Sequence, residues 1–267
     1  MATPSSSLLS SVIQLYTDQV LVSFLVLTRL SGLAMAAPVV GSRSVPVRLR
    51  ALLVLALSGL IAPLHWGTSI DMPDNLVQLA LLVSHEVLIG LALGLGATIL
   101  LLGVQLAGHI AGHMSGMALA DALDPNFDAS IPIVAQLLDV ITILLFIAMG
   151  GHRMIVDALL DTFQWMPPGT AGLSANALNC VIDVLRESFV LGIRAAAPII
   201  LSLLLSILVM GLISRTLPQL NILAIGLSLN SMVMLAMLAV SLGALGWIFQ
   251  DEVEPAIGVI GDMFARR

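Results

Sequence analysis

The sequence predicts an all-α membrane protein, built from about six apolar helical segments. Of its 267 residues, 59% are hydrophobic and only 10% are charged, whereas soluble domains carry about 25% charged residues. The mean hydropathy is +1.09, and a chain this apolar cannot cover its surface with polar groups. We therefore expect an integral membrane protein or a subunit whose apolar surface is buried in an assembly.

Six apolar stretches reach or approach the length of about 20 residues that a helix needs to cross a bilayer. The second stretch is short and ends at Pro63. The third is too long for one simple span, so we expect it to tilt, to break or to continue beyond the membrane. The stretches are approximately Val20–Val40, Ala51–Leu64, Leu76–Gly108, Ile131–Gly150, Phe189–Ile213 and Ile222–Phe249.

The first two connecting loops differ in charge. The loop Gly41–Arg50 carries Arg43, Arg48 and Arg50, whereas His65–Asn75 carries two aspartates and no Lys or Arg. Because loops rich in Lys and Arg stay on the cytoplasmic side of the membrane, we expect the first loop to be cytoplasmic and the second to lie on the opposite side.

The segment His109–Ser130 has the composition of a loop, with glycines and methionines followed by three aspartates. Gly112 and Gly116 belong to a row of glycines four residues apart, and each glycine weakens a helix by about 1 kcal/mol relative to alanine. Met114 and Met117 are flexible side chains that fill irregular gaps. A mobile Gly/Met segment could seal a pore, although a chain with thirteen methionines also places some beside glycines by chance.

A turn separates the last two apolar stretches. Pro218 has no amide donor and disfavours helical backbone in the residue before it. Gln219 and Asn221 follow within three residues. This arrangement predicts a helical hairpin at the C-terminal end of the chain, with two antiparallel helices.

Four charged residues interrupt the apolar stretches: Arg29, Glu86, Asp139 and Arg194. A charge in the middle of a membrane helix costs about 3 kcal/mol or more on insertion scales, so such residues pair with one another or face a water-filled interior. Two are basic and two are acidic, and the sequence leaves their pairing open. Pairing between helices or with partner subunits is one interpretation. A proton relay through Glu86 and Asp139 in a secondary transporter is the other.

Other functional classes lack their sequence signatures. The chain has no nucleophile elbow, no P-loop and no dinucleotide fingerprint, so we predict that it is not an enzyme and needs no cofactor. The net charge of −6 argues against nucleic-acid binding. Cys180 is the only cysteine, and the pair His109 and His113 has no evident third ligand, so no metal site is predicted.

Several sequence elements between Thr28 and Phe249 occur together in a fixed order and spacing. The elements are Arg29 to Pro46, Glu86 to Gly90, Ala107 to the Asp124-Pro125 pair, Val134 to Leu138 with Gly151-His152, Phe189 to Arg215, and Pro218 to Ile222. In this respect the chain resembles the FliR family of the flagellar type III secretion export gate, whose injectisome relatives are the SctT proteins. It departs from the family pattern at Gly226-Leu227-Ser228-Leu229, where many members have Gly-Phe-Pro.

The resemblance implies a single export-gate membrane domain over residues 1–267. Its part at about 1–185 would be similar to a FliP subunit, and the part at about 186–267 would be similar to a FliQ hairpin. The implied partners are FliP-like and FliQ-like gate subunits, FlhB-like and FlhA-like components, the membrane, and unfolded flagellar export substrates. The implied location is the bacterial inner membrane, in the flagellar basal body.

The resemblance also implies a pore plug at about Ile110–Asp124, the Gly/Met segment described above. A flexible apolar plug would close the channel to water and ions and yield to an unfolded substrate. An injectisome export-gate subunit and a proton-coupled secondary transporter are the alternative functions.

Overall fold

The computed structural model is helical, and no strand occurs among the residues it describes. These are residues 4–42, 45–68, 70, 72–73, 75–115, 133–170, 177–216, 225–226, 228–241, 243 and 246–247. The prediction of an all-α protein is confirmed. The helices are α1 (Pro4–Ala36), α2 (Val47–Ile61) with a 3₁₀ turn (Ala62–His65), α3 (Leu76–Met114), α4 (Ile133–Ala148), α5 (Gly151–Trp165), α6 (Ala177–Thr216) and α7 (Ser228–Ser241).

Four of the described helices are long and apolar enough to cross a membrane. The count rises to five if α4 and α5, which are separated at Gly150 (φ +77°), form one broken span. Helix α7 is apolar but shorter. The four candidate spans are Tyr16–Ala36, Val47–His65, Leu76–Met114 and Ile182–Thr216. The protein is therefore a membrane protein by the length and composition of its helices.

Helix α3 is the third predicted apolar stretch, and it is continuous over 39 residues. At 1.5 Å per residue it is about 58 Å long, nearly twice the bilayer's hydrocarbon core. The expectation of a loop from His109 onward is wrong for residues 109–114, which are helical. The reason is close packing of α3 against α4 at Gly108, where a Cβ added to the glycine would lie only 3.0 Å from Ala135 Cα. Helix packing at this glycine outweighs its low helix propensity.

Helix α5 is absent from the six predicted stretches because it is amphipathic rather than uniformly apolar. Ile155, Leu159 and Phe163 recur at every fourth residue and are buried, whereas Arg153 and Asp157 are exposed. The two exposed charges approach each other at 4.0 Å. This helix supplies part of the site described below.

The described chain divides into two compact units. The first contains the described residues of 1–98 and 153–181, and the second contains those of 99–152 and 182–256. The boundaries fall inside α3, α5 and α6. The predicted division near residue 185 concerns likeness to other gate subunits, and it stays a prediction.

In the first unit, glycines bring the backbones of α1 and α3 into contact. A Cβ added to Gly90 would collide with the carbonyl of Arg29, and one added to Gly32 would collide with the carbonyl of Val87. A Cβ at Gly94 would lie 2.8 Å from the amide nitrogen of Ala37. Small residues permit such close helix approaches in membranes. The contact places α1 and α3 side by side around Arg29.

In the second unit, α3 and α6 cross at a second close approach. The Ser188 hydroxyl donates to the carbonyl of Ile99 at 2.5 Å. An added Cβ at Gly192 would collide with the backbone of Gly103. Helices α6 and α7 are joined by a hydrogen bond from the Ser206 hydroxyl to Asn230 Oδ1 at 2.6 Å. These two hydrogen bonds join polar groups between apolar helices of this unit.

Candidate functional site

Arg29 and Glu86 form a buried ion pair between α1 and α3. Both side chains are fully buried, and Arg29 Nε lies 2.6 Å from Glu86 Oε2. An isolated charge in such an apolar setting would carry a large desolvation cost, which an opposite charge at hydrogen-bond distance offsets. The close helix approach at Gly90 makes this distance possible, because Gly90 lies one turn beyond Glu86 on α3 and packs on the Arg29 backbone.

The end of α5 and the turn after it satisfy the other polar atoms of the pair. Arg29 Nη1 donates to the Thr162 hydroxyl at 3.2 Å, and Nη2 donates to the Met166 carbonyl at 3.0 Å. The amide of Gly169 donates to Glu86 Oε1 at 3.0 Å. Every guanidinium nitrogen and both carboxylate oxygens therefore have a partner. We call these five residues (Arg29, Glu86, Thr162, Met166 and Gly169) the ion-pair cluster.

An aromatic side chain covers the guanidinium. Arg29 Cζ lies 4.2 Å from the centroid of the Phe163 ring, a distance at which a cation is attracted to the ring face. The Phe163 ring also contacts the His65 ring, with 5.1 Å between centroids. Phe163 is itself buried. These rings exclude water from the cation and strengthen its interaction with the carboxylate.

Gly169 adopts a backbone conformation that suits glycine. Its φ is +86°, and a Cβ at this position would also lie 2.9 Å from Ile70 Cγ2. The turn is closed by a hydrogen bond of 3.1 Å from the Thr170 amide to the Pro167 carbonyl. This turn directs the Gly169 amide at the carboxylate. Another residue here would be strained and crowded.

The cluster has the chemistry of a structural clamp. A fully hydrogen-bonded, fully buried ion pair holds three parts of the chain in one arrangement, because separating them would expose unpaired charges to an apolar environment. A proton-carrying carboxylate, in contrast, needs contact with water or with a second proton acceptor. Glu86 is fully buried, and among the described residues its oxygens bond only to the Arg29 guanidinium and to a backbone amide, which are both hydrogen-bond donors.

The other two predicted buried charges belong to the second unit. Asp139 is half-buried on α4. Arg194 on α6 is exposed, so its charge is not buried within the single chain. The pairing that the sequence left open is thus Arg29 with Glu86, and the structure does not pair Asp139 or Arg194 with either of them.

The predicted plug falls mostly outside the described residues. Gly112 is buried in the last turns of α3, and Met114 ends that helix half-buried. The Ser115 hydroxyl donates to the Gly112 carbonyl at 2.8 Å. Gly116 and Met117 lie outside the residues that the structure describes, as do Pro218, Gln219 and Asn221 of the predicted hairpin turn.

Sequence reasoning missed the contribution of α5 and of the turn after it. Thr162, Phe163 and Met166 were not identified as partners of the buried charges. The apolar residues of α5 recur at helical spacing, and this pattern could have shown that one of its faces is buried. No comparable signal indicates which buried charge that face contacts, because the contact joins residues 133 positions apart.

Sequence comparisons match the chain to proteins of bacterial export. Residues 20–256 match the family model described as bacterial export proteins, family 1. The flagellar biosynthetic protein FliR of Escherichia coli (strain K12) is 32% identical over 195 residues, covering 73% of this chain and 74% of the relative. FliR of Caulobacter vibrioides is 30% identical over 200 residues, covering 75% and 80%. FliR of Bacillus subtilis is 28% identical over 203 residues, covering 74% and 76%.

Replacing Thr162 by valine tests the clamp. Valine keeps the shape of threonine but removes the hydroxyl that accepts from Arg29, so we expect a loss of about 1–3 kcal/mol in the free energy of unfolding. Thr170→Val is the control, because the Thr170 hydroxyl is exposed and bonds only within its own turn. The measurement is chemical unfolding of the purified chain in detergent micelles. Equal stability of the two variants would contradict the clamp.

Proposed function

Because the chain belongs to family 1 of the bacterial export proteins and to the FliR family of flagellar biosynthesis, we propose that it is a membrane subunit of the flagellar protein-export gate. One observation carries the proposal: the family match extends over residues 20–256. The three relatives described above are also aligned over about three quarters of both chains. A match of this extent includes both compact units rather than a single shared segment.

In this proposal the chain performs no chemistry and acts through assembly. Its helices leave much apolar surface uncovered. In the candidate span Val47–His65, only 22% of the apolar 18-residue stretch is buried within the chain, and in Ile182–Thr216 the buried share is 28%. Lipid or other membrane subunits must cover such surface. We propose that FliP-like and FliQ-like subunits cover part of it in the bacterial inner membrane, near FlhB-like and FlhA-like components of the basal body. The transported substrates would be unfolded flagellar proteins.

We further propose that the segment at about Ile110–Asp124 closes the channel. Support comes from its composition and from its position at the end of α3, which begins in the first unit and ends in the second at Met114. Glycine permits backbone rearrangement, and methionine fills irregular gaps. A constriction lined by apolar side chains excludes water and ions.

The gate role is favoured over proton-coupled transport by the ion-pair cluster. A relay would need Glu86 to exchange protons, whereas both of its oxygens are hydrogen-bonded in a fully buried site. Flagellar export is favoured over injectisome export because the three relatives described above carry a flagellar name. The experiment that follows distinguishes these functions.

Deletion of the gene in its native host tests the export role. We expect flagellin and hook protein to disappear from the culture medium, and a plasmid copy of the wild-type gene to restore both, because an incomplete gate has no passage for substrates. The amounts of flagellin and hook protein in medium and cells are measured by quantitative immunoblotting. Normal secretion of both proteins would contradict flagellar export; loss of other secreted proteins instead would indicate an injectisome.

A bulky residue at Gly112 tests the plug. Gly112→Leu adds a side chain at a buried glycine beside the proposed closure, so we expect flagellin secretion to fall by about tenfold or more while the chain remains in the membrane. Gly211→Leu is the matched control, because an added Cβ at Gly211 on α6 has no atom within 4 Å. Unchanged secretion in the Gly112 variant, with correct expression, would contradict the plug assignment.

A further inference from the structure

We propose that the exposed face of α4 that Asp139 borders is a docking surface for an apolar membrane helix of another subunit that carries an arginine or lysine at the depth of Asp139. The inference rests on the proposed export-gate function and adds to it a specific contact and the chemistry of the partner. It depends on the position of one carboxylate, on the packing of the helix that carries it, and on the apolar surface around it.

Asp139 is the acid in this apolar helix, and its carboxylate has no hydrogen-bond or ionic partner in the part of the chain that the structure describes. The side chain is half-buried. Helix α4 otherwise consists of apolar residues apart from Gln136 and Thr142. A carboxylate in such a helix is costly unless it is paired or faces an aqueous interior.

One face of α4 is already occupied within the second unit. Ala135, Leu138, Thr142 and Phe146 are buried, at spacings of three and four residues. Near one end of this face, Leu138 packs closely against Gly108 of α3. A Cβ added to Gly108 would lie 2.9 Å from Leu138 Cδ1. The packing therefore fixes the rotation of α4 about its own axis, and Asp139 lies beside the packed face rather than within it.

The adjoining face of α4 is exposed and apolar. Val140 and Ile147 are 55% and 40% exposed, and Ile143 between them is half-buried. Together with Gln136 they form a stripe at positions i, i+4, i+7 and i+11, which is the pattern that packs against another helix. Asp139 borders the stripe, one turn after Gln136 and one turn before Ile143. A helix seated on the stripe would bring its side chains to the carboxylate.

A cationic side chain is the partner that this surface favours. At about 4 Å, two opposite charges attract far more strongly in an apolar environment than in water, and the guanidinium of arginine can also form two parallel hydrogen bonds to one carboxylate. The same protein shows this solution at Glu86, which is buried against Arg29. Lipid chains would cover the stripe but leave the carboxylate unpaired.

The test compares Asp139→Asn, Asp139→Glu and Asp139→Leu in the full-length tagged chain, expressed from its native locus. Membranes are solubilised in mild detergent, and the gate subunits recovered with the chain are quantified by mass spectrometry against isotope-labelled peptides. Asp183→Asn, at an exposed position near the start of α6, is the matched control. A photo-crosslinking amino acid at Val140, with a second at Arg153 on the exposed face of α5 as its control, identifies the peptide that contacts the stripe.

Docking predicts a loss of about tenfold in recovered partner for Asp139→Asn and Asp139→Leu, retention within about twofold for Asp139→Glu, and no change for Asp183→Asn. The crosslink from Val140 should fall on an apolar helix with an arginine or lysine within one turn, and exchanging the two charges between the subunits should restore recovery. Normal recovery in all variants, or crosslinks to lipid alone, would overturn the proposal.

Normal recovery with failed export in Asp139→Asn would also overturn it, because that result indicates a proton-carrying carboxylate. The recovery and crosslinking experiments measure assembly rather than secretion, so their outcome does not depend on the deletion experiment. If the deletion strain secretes flagellin normally, the proposed function fails, whereas the recovery and crosslinking data still decide whether the α4 surface binds a partner helix.

Discussion

The buried ion pair between Arg29 and Glu86 is the interaction on which the first unit depends. It forms only because glycines let α1 and α3 touch backbone to backbone, and it is complete only when the end of α5 and the Gly169 turn supply the remaining donors and acceptors. Helix α5 is too polar to be stable in lipid on all sides. Its Phe163 ring covers the guanidinium, while Arg153 and Asp157 are exposed. A charge that is costly in isolation thereby selects one arrangement of three chain segments.

Glu86 and Asp139, the two acids within the predicted apolar stretches, differ in how their charge is accommodated. Glu86 is satisfied inside the chain, with both oxygens bonded, whereas Asp139 has no partner among the described residues and borders an exposed apolar stripe. A monomeric protein surrounded by lipid would gain no stability from an unpaired carboxylate beside an exposed apolar stripe. This arrangement fits a subunit whose membrane surface is completed by other proteins, in agreement with the poorly covered spans Val47–His65 and Ile182–Thr216. Under the proposed function, this exposed surface serves assembly with other membrane subunits.

Hydropathy was sufficient to predict the helical class and the main spans, because long apolar runs have few alternatives in a membrane. It also identified Arg29 and Glu86 as unusual. It missed α5, whose apolar residues are spread at helical spacing rather than in a run, and it ended α3 too early at Gly108, where packing against Ala135 and Leu138 maintains the helix. The pairing of Arg29 with Glu86 and Thr162 could not be predicted, since it depends on contacts between residues 57 and 133 positions apart.

A double-mutant cycle on Arg29 and Glu86 tests the central claim most directly. The free energies of unfolding of Arg29→Met, Glu86→Met and the double variant would be compared with that of the wild-type chain in detergent micelles. Each single variant leaves one buried charge unpaired, so we expect each to lose about 3–5 kcal/mol, and the double variant, with two apolar side chains in contact, to lose less than either. Losses that add, so that the double variant is the least stable of all, would show that the two charges do not depend on each other and would contradict the account.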